Sequence, residues 1–337
     1  MKNKIKKIII TLLLTLFLPL QCVAKNINVA LTIDNNYPIY ALLLINSIIK
    51  NNISHSDYTF YIVEDNLTDK NKEKMKKFVE KNNQNIEFIH FDTESIDQGK
   101  YIFTFSNRIT PIAIARIMLP EILPKDIDKV LYLDGDMLVT ADIKPMYETD
   151  LGNYYVGMVK NINDMQYPMH IFKKGYFNSG LILMNLPKWR TDKISEKMVE
   201  FLQNNMNDFI YNKKSEKPAF LYPDQDLINI VLEGKIKKID DKWNNQTLRK
   251  SVLNESTEGI YHYIASIKPW HFPKGRIYTQ NTYMQYWKNS SLSHYRYYYV
   301  MKKIIAEYKQ ILKIKMNRLF VYFEKPVPKR LELLEVN

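Results

Sequence analysis

The chain has 337 residues, a formal charge of +12 from 48 basic and 36 acidic side chains, and a single cysteine. That length accommodates one large α/β domain or one domain with appendages, while one cysteine excludes a disulfide scaffold and any Cys-based zinc site. The hydrophobic core must hold the fold.

In chain order, Lys2, Lys4, Lys6 and Lys7 precede the apolar run Ile8 to Leu20, and Cys22-Val23-Ala24 ends in a small residue. Residues 1–24 therefore read as a secretory signal peptide or, left uncleaved, as an N-terminal membrane segment. Asn28 to Ile33 is predicted as a first buried strand, Tyr37 to Ile49 as a helix on the sheet, and Tyr58 to Val63 as a second strand. A charged helix over Asn71 to Lys81 and a third strand over Ile86 to His90 follow. Next come a helix over Thr110 to Leu119 carrying Arg116, a strand within Lys129 to Asp142, and strands at Tyr154 to Val159 and Phe177 to Asn185. Helices at Ile194 to Gln203 and Gln225 to Glu233 complete the alternation, the latter closed by Gly234. Asn204 to Lys217 is polar and Lys-rich and reads as a loop. Strands alternating with helices imply an α/β fold with a single mixed, mostly parallel sheet flanked by helices. The economical division is a catalytic domain over residues 25–290 and a tail over 291–337.

That tail is distinctive. From His294 to Asn337 ten Lys or Arg stand against four Glu, interleaved with eight aromatic residues between Tyr295 and Phe323. Rings and cations together suit an anionic membrane surface; a solvated helix is the plainer alternative, and nothing resembles an RNA-recognition motif.

Chemistry concentrates in three places. Asp134-Gly135-Asp136 interrupts an apolar stretch, and residues i and i+2 of an extended segment point the same way, so both acids can reach one divalent cation. A hydrophilic turn would show the same pattern. His262, in a short Tyr and Ile run, is either a satisfied core histidine or a third ligand, and two carboxylates with one imidazole make a reasonable Mn²⁺ site. Asp224-Gln225-Asp226 opens a helix, where a short acid caps free N–H groups or presents a carboxylate and an amide rigidly to sugar hydroxyls. Lys268 is a surface lysine or a partner for an outer phosphate.

Taken with their order, the motifs LTIDNNY, AIARIMLP, YLDGDMLV, YFNSGLILMNLPKWR, YPDQDLIN and HYIASIKPWH resemble glycosyltransferase family 8, the retaining galactosyl- and glucosyltransferases, over roughly residues 27 to 290. The resemblance implies a GT-A type nucleotide-diphospho-sugar transferase fold. It also implies transfer of galactose or glucose from a UDP-sugar to a glycan or glycolipid acceptor, with Mn²⁺ as cofactor and Mg²⁺ as the substitute. By the same resemblance Thr32, Asp34, Asn36 and Tyr37 line the base and ribose pocket, Arg116 meets the donor sugar or its phosphate, and Asp134, Asp136 and His262 hold the metal around Gly135. Asn178 and Ser179 contact the donor sugar, Asp224 holds its hydroxyls, Gln225 lies under the reacting face of the anomeric carbon, and Lys268 reaches the diphosphate.

Three residues depart from the pattern: Ala265 stands where a glycine is expected close to the phosphates, Asn35 where an acid is common, and Ser179 where an alanine is common. Rival readings are a nucleotidyltransferase, which would carry a Gly-rich phosphate loop that LTIDNNYPIY lacks, and a non-catalytic sugar-nucleotide-binding domain. A lipopolysaccharide-type acceptor is the leading expectation, with a protein or other secreted acceptor the alternative. A functional signal would take a bacterial enzyme away from cytoplasmic UDP-sugars. The expected location is therefore membrane-associated or exported, or the cytoplasmic face of the inner membrane if the segment is not a working signal.

Overall fold

The computed structural model describes residues 26–92, 111–162, 172–205, 223–246, 258–264, 268–270 and 280–296, with 301, 305, 308, 309, 312 and 313. The signal-like segment, most of the Lys-rich stretch after Asn204, Ala265 and most of the basic tail lie outside the described residues.

Strand β1 (Ile27–Asp34) is buried at every position through Leu31, as a central strand covered on both faces should be. It pairs in parallel with β2 (Tyr58–Asp65) and β4 (Lys129–Leu133), and β2 pairs in parallel with β3 (Asn85–His90). Beyond β4 the direction reverses. There β7 (Leu181–Asn185) runs antiparallel to both β4 and β6 (Val156–Met158), and β8 (Ile236–Lys238) lies parallel to β6. The order is β3-β2-β1-β4-β7-β6-β8, a mixed and mostly parallel sheet. A second, three-stranded sheet is a feature the sequence reading did not separate: β5 (Met137–Val139) and β9 (Asn245–Gln246) flank β10 (Ile260–His262). Chain leaving β4 crosses to this small sheet through Asp134, Gly135 and Asp136.

Helix α1 (Pro38–Lys50) is buried throughout Pro38 to Ile48 and packs on β1 and β5. One polar anchor there is doubly used: Ser47 Oγ donates to Leu44 O at 2.6 Å and accepts the Val139 N–H at 3.0 Å, tying the helix to β5. The charged helix α2 (Asp69–Lys81) buries only Met75 and Val79, the narrow stripe its sequence allows. Alternate strand residues, among them Ala30, Tyr61, Val130, Tyr132 and Ile182, form one core with α3 (Pro111–Ile122), α5 (Leu186–Thr191), α6 (Ile194–Asn204) and α7 (Pro223–Val231). A short helix, α4 (Lys144–Tyr147), follows β5.

Boundaries shifted for identifiable reasons. The strand predicted from Phe177 begins only at Leu181, because Phe177 makes an isolated bridge to Lys160 and Ser179 and Gly180 turn. Helix α3 continues through Pro120 to Ile122, and one side chain meets a carbonyl of its last turn and four that follow it. Arg190 donates to the carbonyls of Pro120, Leu123, Pro124, Lys125 and Ile127 at 2.6–3.3 Å, so the turn into β4 is closed by a guanidinium fork. Gly234, predicted to end α7, has φ +73°, a left-handed conformation that glycine adopts without steric cost.

Residues up to Ser266 form one compact unit and those from Ile267 a second. In the second, α8 (Gln280–Lys288) presents Tyr283 to Trp270 at 5.5 Å and Trp287 edge-on to Tyr283 at 6.3 Å, and the Trp287 indole donates to Leu292 O at 3.1 Å. Among the described residues no helix is long and apolar enough to cross a membrane.

Candidate active site

Where the chain passes from β4 to β5, Asp134 and Asp136 occupy a turn, which corrects the expectation of an extended segment. The turn still converges their carboxylates, because Asp134 N–H continues the large sheet by donating to Gly180 O at 2.8 Å while Asp136 O accepts the Tyr263 N–H at 3.1 Å beside the small sheet. Strand β10 brings His262 to the same point. Its Nε2 lies 3.3 Å from Asp136 Oδ1 and 3.6 Å from Asp134 Oδ2, and one ligand atom from each residue falls within 4.8 Å of the others. Two carboxylate oxygens and an imidazole nitrogen suit a divalent cation of Mn²⁺ type, leaving positions open for phosphate oxygens.

The surrounding packing also fits that use. An alanine at position 180 would place its Cβ 2.2 Å from His262 Cε1 and 2.9 Å from Asp134 Oδ2, so the triad closes only because Gly180 has no side chain. Gly135 is not constrained in the same way, since a Cβ there would make only an ordinary contact with the Tyr37 ring at 3.4 Å.

Arg116 joins the triad to the helix α7 residues. Its guanidinium lies 3.2 Å from Asp134 Oδ1 and 3.1 Å from Asp224 Oδ2, and it donates to both the carbonyl and the hydroxyl of Ser179 at 3.1 Å. Burial opposes the charge, but Asp134 and Asp224 outweigh it and hold the guanidinium pKa above its ordinary value. The Tyr132 ring lies under it at 4.9 Å. Burial pushes the Tyr132 phenol well above its usual range, so the hydroxyl stays protonated, donating to Asp134 Oδ1 at 2.5 Å with Thr32 Oγ1 3.0 Å away. Three carboxylates thus face one guanidinium, an acidic excess that a divalent cation would balance.

Asp224 and Gln225 lie in the first turn of α7, and their bonds run to side chains and to the segment before β7. Ser179 Oγ donates to Asp224 Oδ2 at 3.0 Å, and Gln225 Oε1 accepts the Ser179 N–H at 3.0 Å and Asn178 Nδ2 at 3.1 Å. On the far side of the triad, Asp34 forms an Asx turn that accepts from the Asn36 backbone and side chain at 2.8 and 3.2 Å. Tyr37 stands half-buried between that turn and Gly135, edge-on to Tyr40 at 5.8 Å. Its phenol is raised by burial first and then by Asp136, Asp34 and Asp134. Asn35 serves as a neutral acceptor, taking the Thr68 N–H at 3.2 Å and Asn71 Nδ2 at 2.8 Å. The half-buried Lys268 belongs to the second compact unit.

The glycosyl transferase family 8 profile matches residues 28–273, most of the chain. The chain belongs to glycosyltransferase family 8. As a glycosyltransferase of this family it is 27% identical over 288 residues to a lipopolysaccharide 1,2-glucosyltransferase of Escherichia coli K12, covering 79% of this chain and 80% of that one. It is 26% identical over 255 residues to general stress protein A of Bacillus subtilis, covering 70% of this chain and 85% of that protein. In fold it is similar to the galactosyltransferase LgtC crystallised with donor and acceptor sugar analogues, at a TM-score of 0.65 and 21% identity over 79% of this chain and 96% of that one. The GT-A fold and the glycosyltransferase activity follow.

Several residues of this family 8 site escaped the sequence reading. Asn244, at the end of a 3₁₀ turn (Asp241–Asn244), lies 2.9 Å through Oδ1 from His262 Nδ1 and donates through Nδ2 to Asn178 Oδ1 at 2.9 Å. Asn229, one turn along α7 from Gln225, pins Phe177 by accepting its N–H at 2.7 Å and donating to its carbonyl at 2.8 Å. The one signal available was helical spacing, which places Asn229 on the Gln225 face of the DQDLIN run.

Proposed function

We propose that this glycosyltransferase moves galactose or glucose from a UDP-sugar to a hydroxyl of a glycan or glycolipid acceptor of lipopolysaccharide type, with retention of configuration. Mn²⁺ is the proposed cofactor, replaceable by Mg²⁺. The observation that carries this reading is the convergence of Asp134, Asp136 and His262 beside Gln225 and Asp224, bridged by Arg116. The lipopolysaccharide acceptor is supported by the relative named for that substrate.

In this reading Asp134, Asp136 and His262 hold the metal, which when bound neutralises negative charge on the departing nucleoside diphosphate. Tyr37, with Asp34, Asn36 and Thr32 beside it, receives the uridine. Asn178, Ser179 and Asp224 meet the sugar, and Arg116 keeps the Asp224 carboxylate oriented. A covalent route needs a free nucleophile near the anomeric carbon. Asp224 is tied to Arg116 and Ser179, and Gln225 has its oxygen engaged by two N–H donors, so the arrangement favours attack on the face from which UDP leaves. The leaving diphosphate takes the acceptor's proton.

UDP release from UDP-galactose and UDP-glucose, each with and without Mn²⁺, tests the reading. Metal-dependent release from one of them is expected; no release and no transfer with any UDP-sugar would overturn it. Gln225→Ala should lower kcat by about 10- to 100-fold while KM for the donor moves by no more than about threefold, because the amide acts where the transition state differs from the bound sugar. Equal losses in binding and turnover would reassign Gln225 to ground-state binding.

The proposed working place is an anionic membrane surface on the side that holds UDP-sugars. Met301, Ile305, Tyr308 and Leu312 are each helical and exposed at 43–63%, Lys309 and Lys313 are also helical and exposed, and the sequence spacing of four, three and four is that of an apolar stripe. Replacing Met301, Ile305 and Leu312 with Glu should reduce sedimentation with phosphatidylglycerol vesicles about tenfold and leave UDP release from soluble donor unchanged. Undiminished vesicle binding would rule the stripe out as a membrane contact.

A further inference from the structure

We propose that Asn244 is a positioning residue of the transfer reaction, one amide that sets the tautomer of His262 and, through Asn178, the orientation of Gln225. The inference rests on the reading above, in which His262 binds metal and Gln225 faces the reacting sugar.

Two backbone N–H groups, which cannot reverse their polarity, decide every orientation in the chain of amides. The Gly180 N–H donates to Asn178 at 3.0 Å, so the atom it meets is Oδ1. The Ser179 N–H donates to Gln225 at 3.0 Å, so that atom is Oε1. With both oxygens placed, Asn178 Nδ2 is directed at Gln225 Oε1, 3.1 Å away, and Asn178 Oδ1 calls for a donor from its other neighbour. Asn244 Nδ2 supplies it at 2.9 Å. The Asn244 oxygen is then left facing His262 Nδ1 at 2.9 Å, and because an amide oxygen only accepts, the imidazole proton sits on Nδ1. In the neutral ring the Nε2 lone pair consequently points toward Asp134 and Asp136, as a metal ligand requires.

Four elements meet in this relay: strand β10, the 3₁₀ turn before β9, the segment entering β7, and the first turn of α7. Asn244, His262, Asn178 and Gln225 are all buried, so water competes little for their bonds. A single error in the chain would propagate both ways, misplacing the imidazole proton at one end and the glutamine amide at the other.

Two variants separate the arms. Asn244→Asp keeps an acceptor for His262 Nδ1 but offers Asn178 Oδ1 no donor. It should bind Mn²⁺ within about threefold of wild type while kcat for UDP release falls about 10- to 100-fold. Asn244→Leu removes both contacts and should also weaken Mn²⁺ binding by about 10- to 100-fold. Mn²⁺ affinity is read by paramagnetic resonance of the free ion, without turnover, and the tautomer by ¹⁵N spectra of histidine-labelled protein. Wild-type spectra showing a proton on Nε2 and not Nδ1 in the neutral ring would overturn the proposal. So would Asp and Leu variants that both match wild type in Mn²⁺ affinity and kcat. If Asn244→Leu fails to fold, Asn244→Asp, nearly the same shape, carries the decision through the split between metal affinity and kcat. Wild-type protein that binds no Mn²⁺ overturns the metal reading itself, and the kcat of Asn244→Asp then decides the Asn178–Gln225 arm alone.

Discussion

Asp136→Asn is expected to remove metal-dependent donor binding and to lower UDP release by about a hundredfold or more, since even outer-shell partners of a bound metal are worth tenfold to a hundredfold. The substitution keeps shape and hydrogen-bonding capacity, so the turn between β4 and β5 should persist. What it removes is one negative charge 3.3 Å from His262 Nε2, in a group where three carboxylates face one guanidinium. Asp134 is the poorer target for this experiment. It also accepts the Tyr132 hydroxyl and pairs with Arg116, so its loss would mix metal binding with structural damage. Titration of UDP binding with Mn²⁺, with Mg²⁺ and with chelator reads the effect directly. Metal-stimulated UDP binding retained at wild-type strength in Asp136→Asn would make the Asp-Gly-Asp run a structural turn.

The readable parts of the chain were those with strong local signals. β1, β2 and β4 announce themselves as apolar runs because they are buried on both faces, and α1 does so because it is buried along nearly its whole length. The three-residue strands β5 and β10 and the two-residue β9 are too short to display a period, so the small sheet carrying His262 could not be separated. Within the site, Asp134, Asp136 and His262 came together as the ordered motifs implied. Asn244 and Gly180 stayed hidden because their roles exist only across the fold. In DKWNNQ an asparagine looks like turn chemistry, and in FNSG a glycine looks like a strand entry. Only the approach of His262 from β10 shows that one must bond the ring and the other must leave room for it. Arg190 ends the motif YFNSGLILMNLPKWR, yet its side chain satisfies five carbonyls that end or follow α3, a destination no local pattern specifies.

Arg116→Met should be the most damaging single change for stability, costing about 3 kcal/mol and on the order of 6–10 °C in Tm, together with most of the activity. Methionine fills the volume above the Tyr132 ring but leaves Asp224 and Asp134 without their shared cation. The lower end of the range for a broken buried pair applies because Asp134 keeps about a quarter of its side-chain surface exposed. Arg116→Lys should recover only part of the loss. An ammonium is a point charge, and the guanidinium here spans Asp134, Asp224 and the Ser179 carbonyl and hydroxyl at 3.1–3.2 Å, a set that needs the planar fork. Coupling distinguishes this account from simple loss of packing. If the cost is an uncompensated carboxylate, Asp224→Asn added to Arg116→Met should restore about 1–2 kcal/mol, because the second change removes the charge that the first left unpaired. Strictly additive destabilisation in thermal or urea denaturation would show that Arg116 contributes bulk and not charge. Recovery of stability in the double variant would establish the guanidinium as the clamp that joins the turn after β4 to α7 through paired charge.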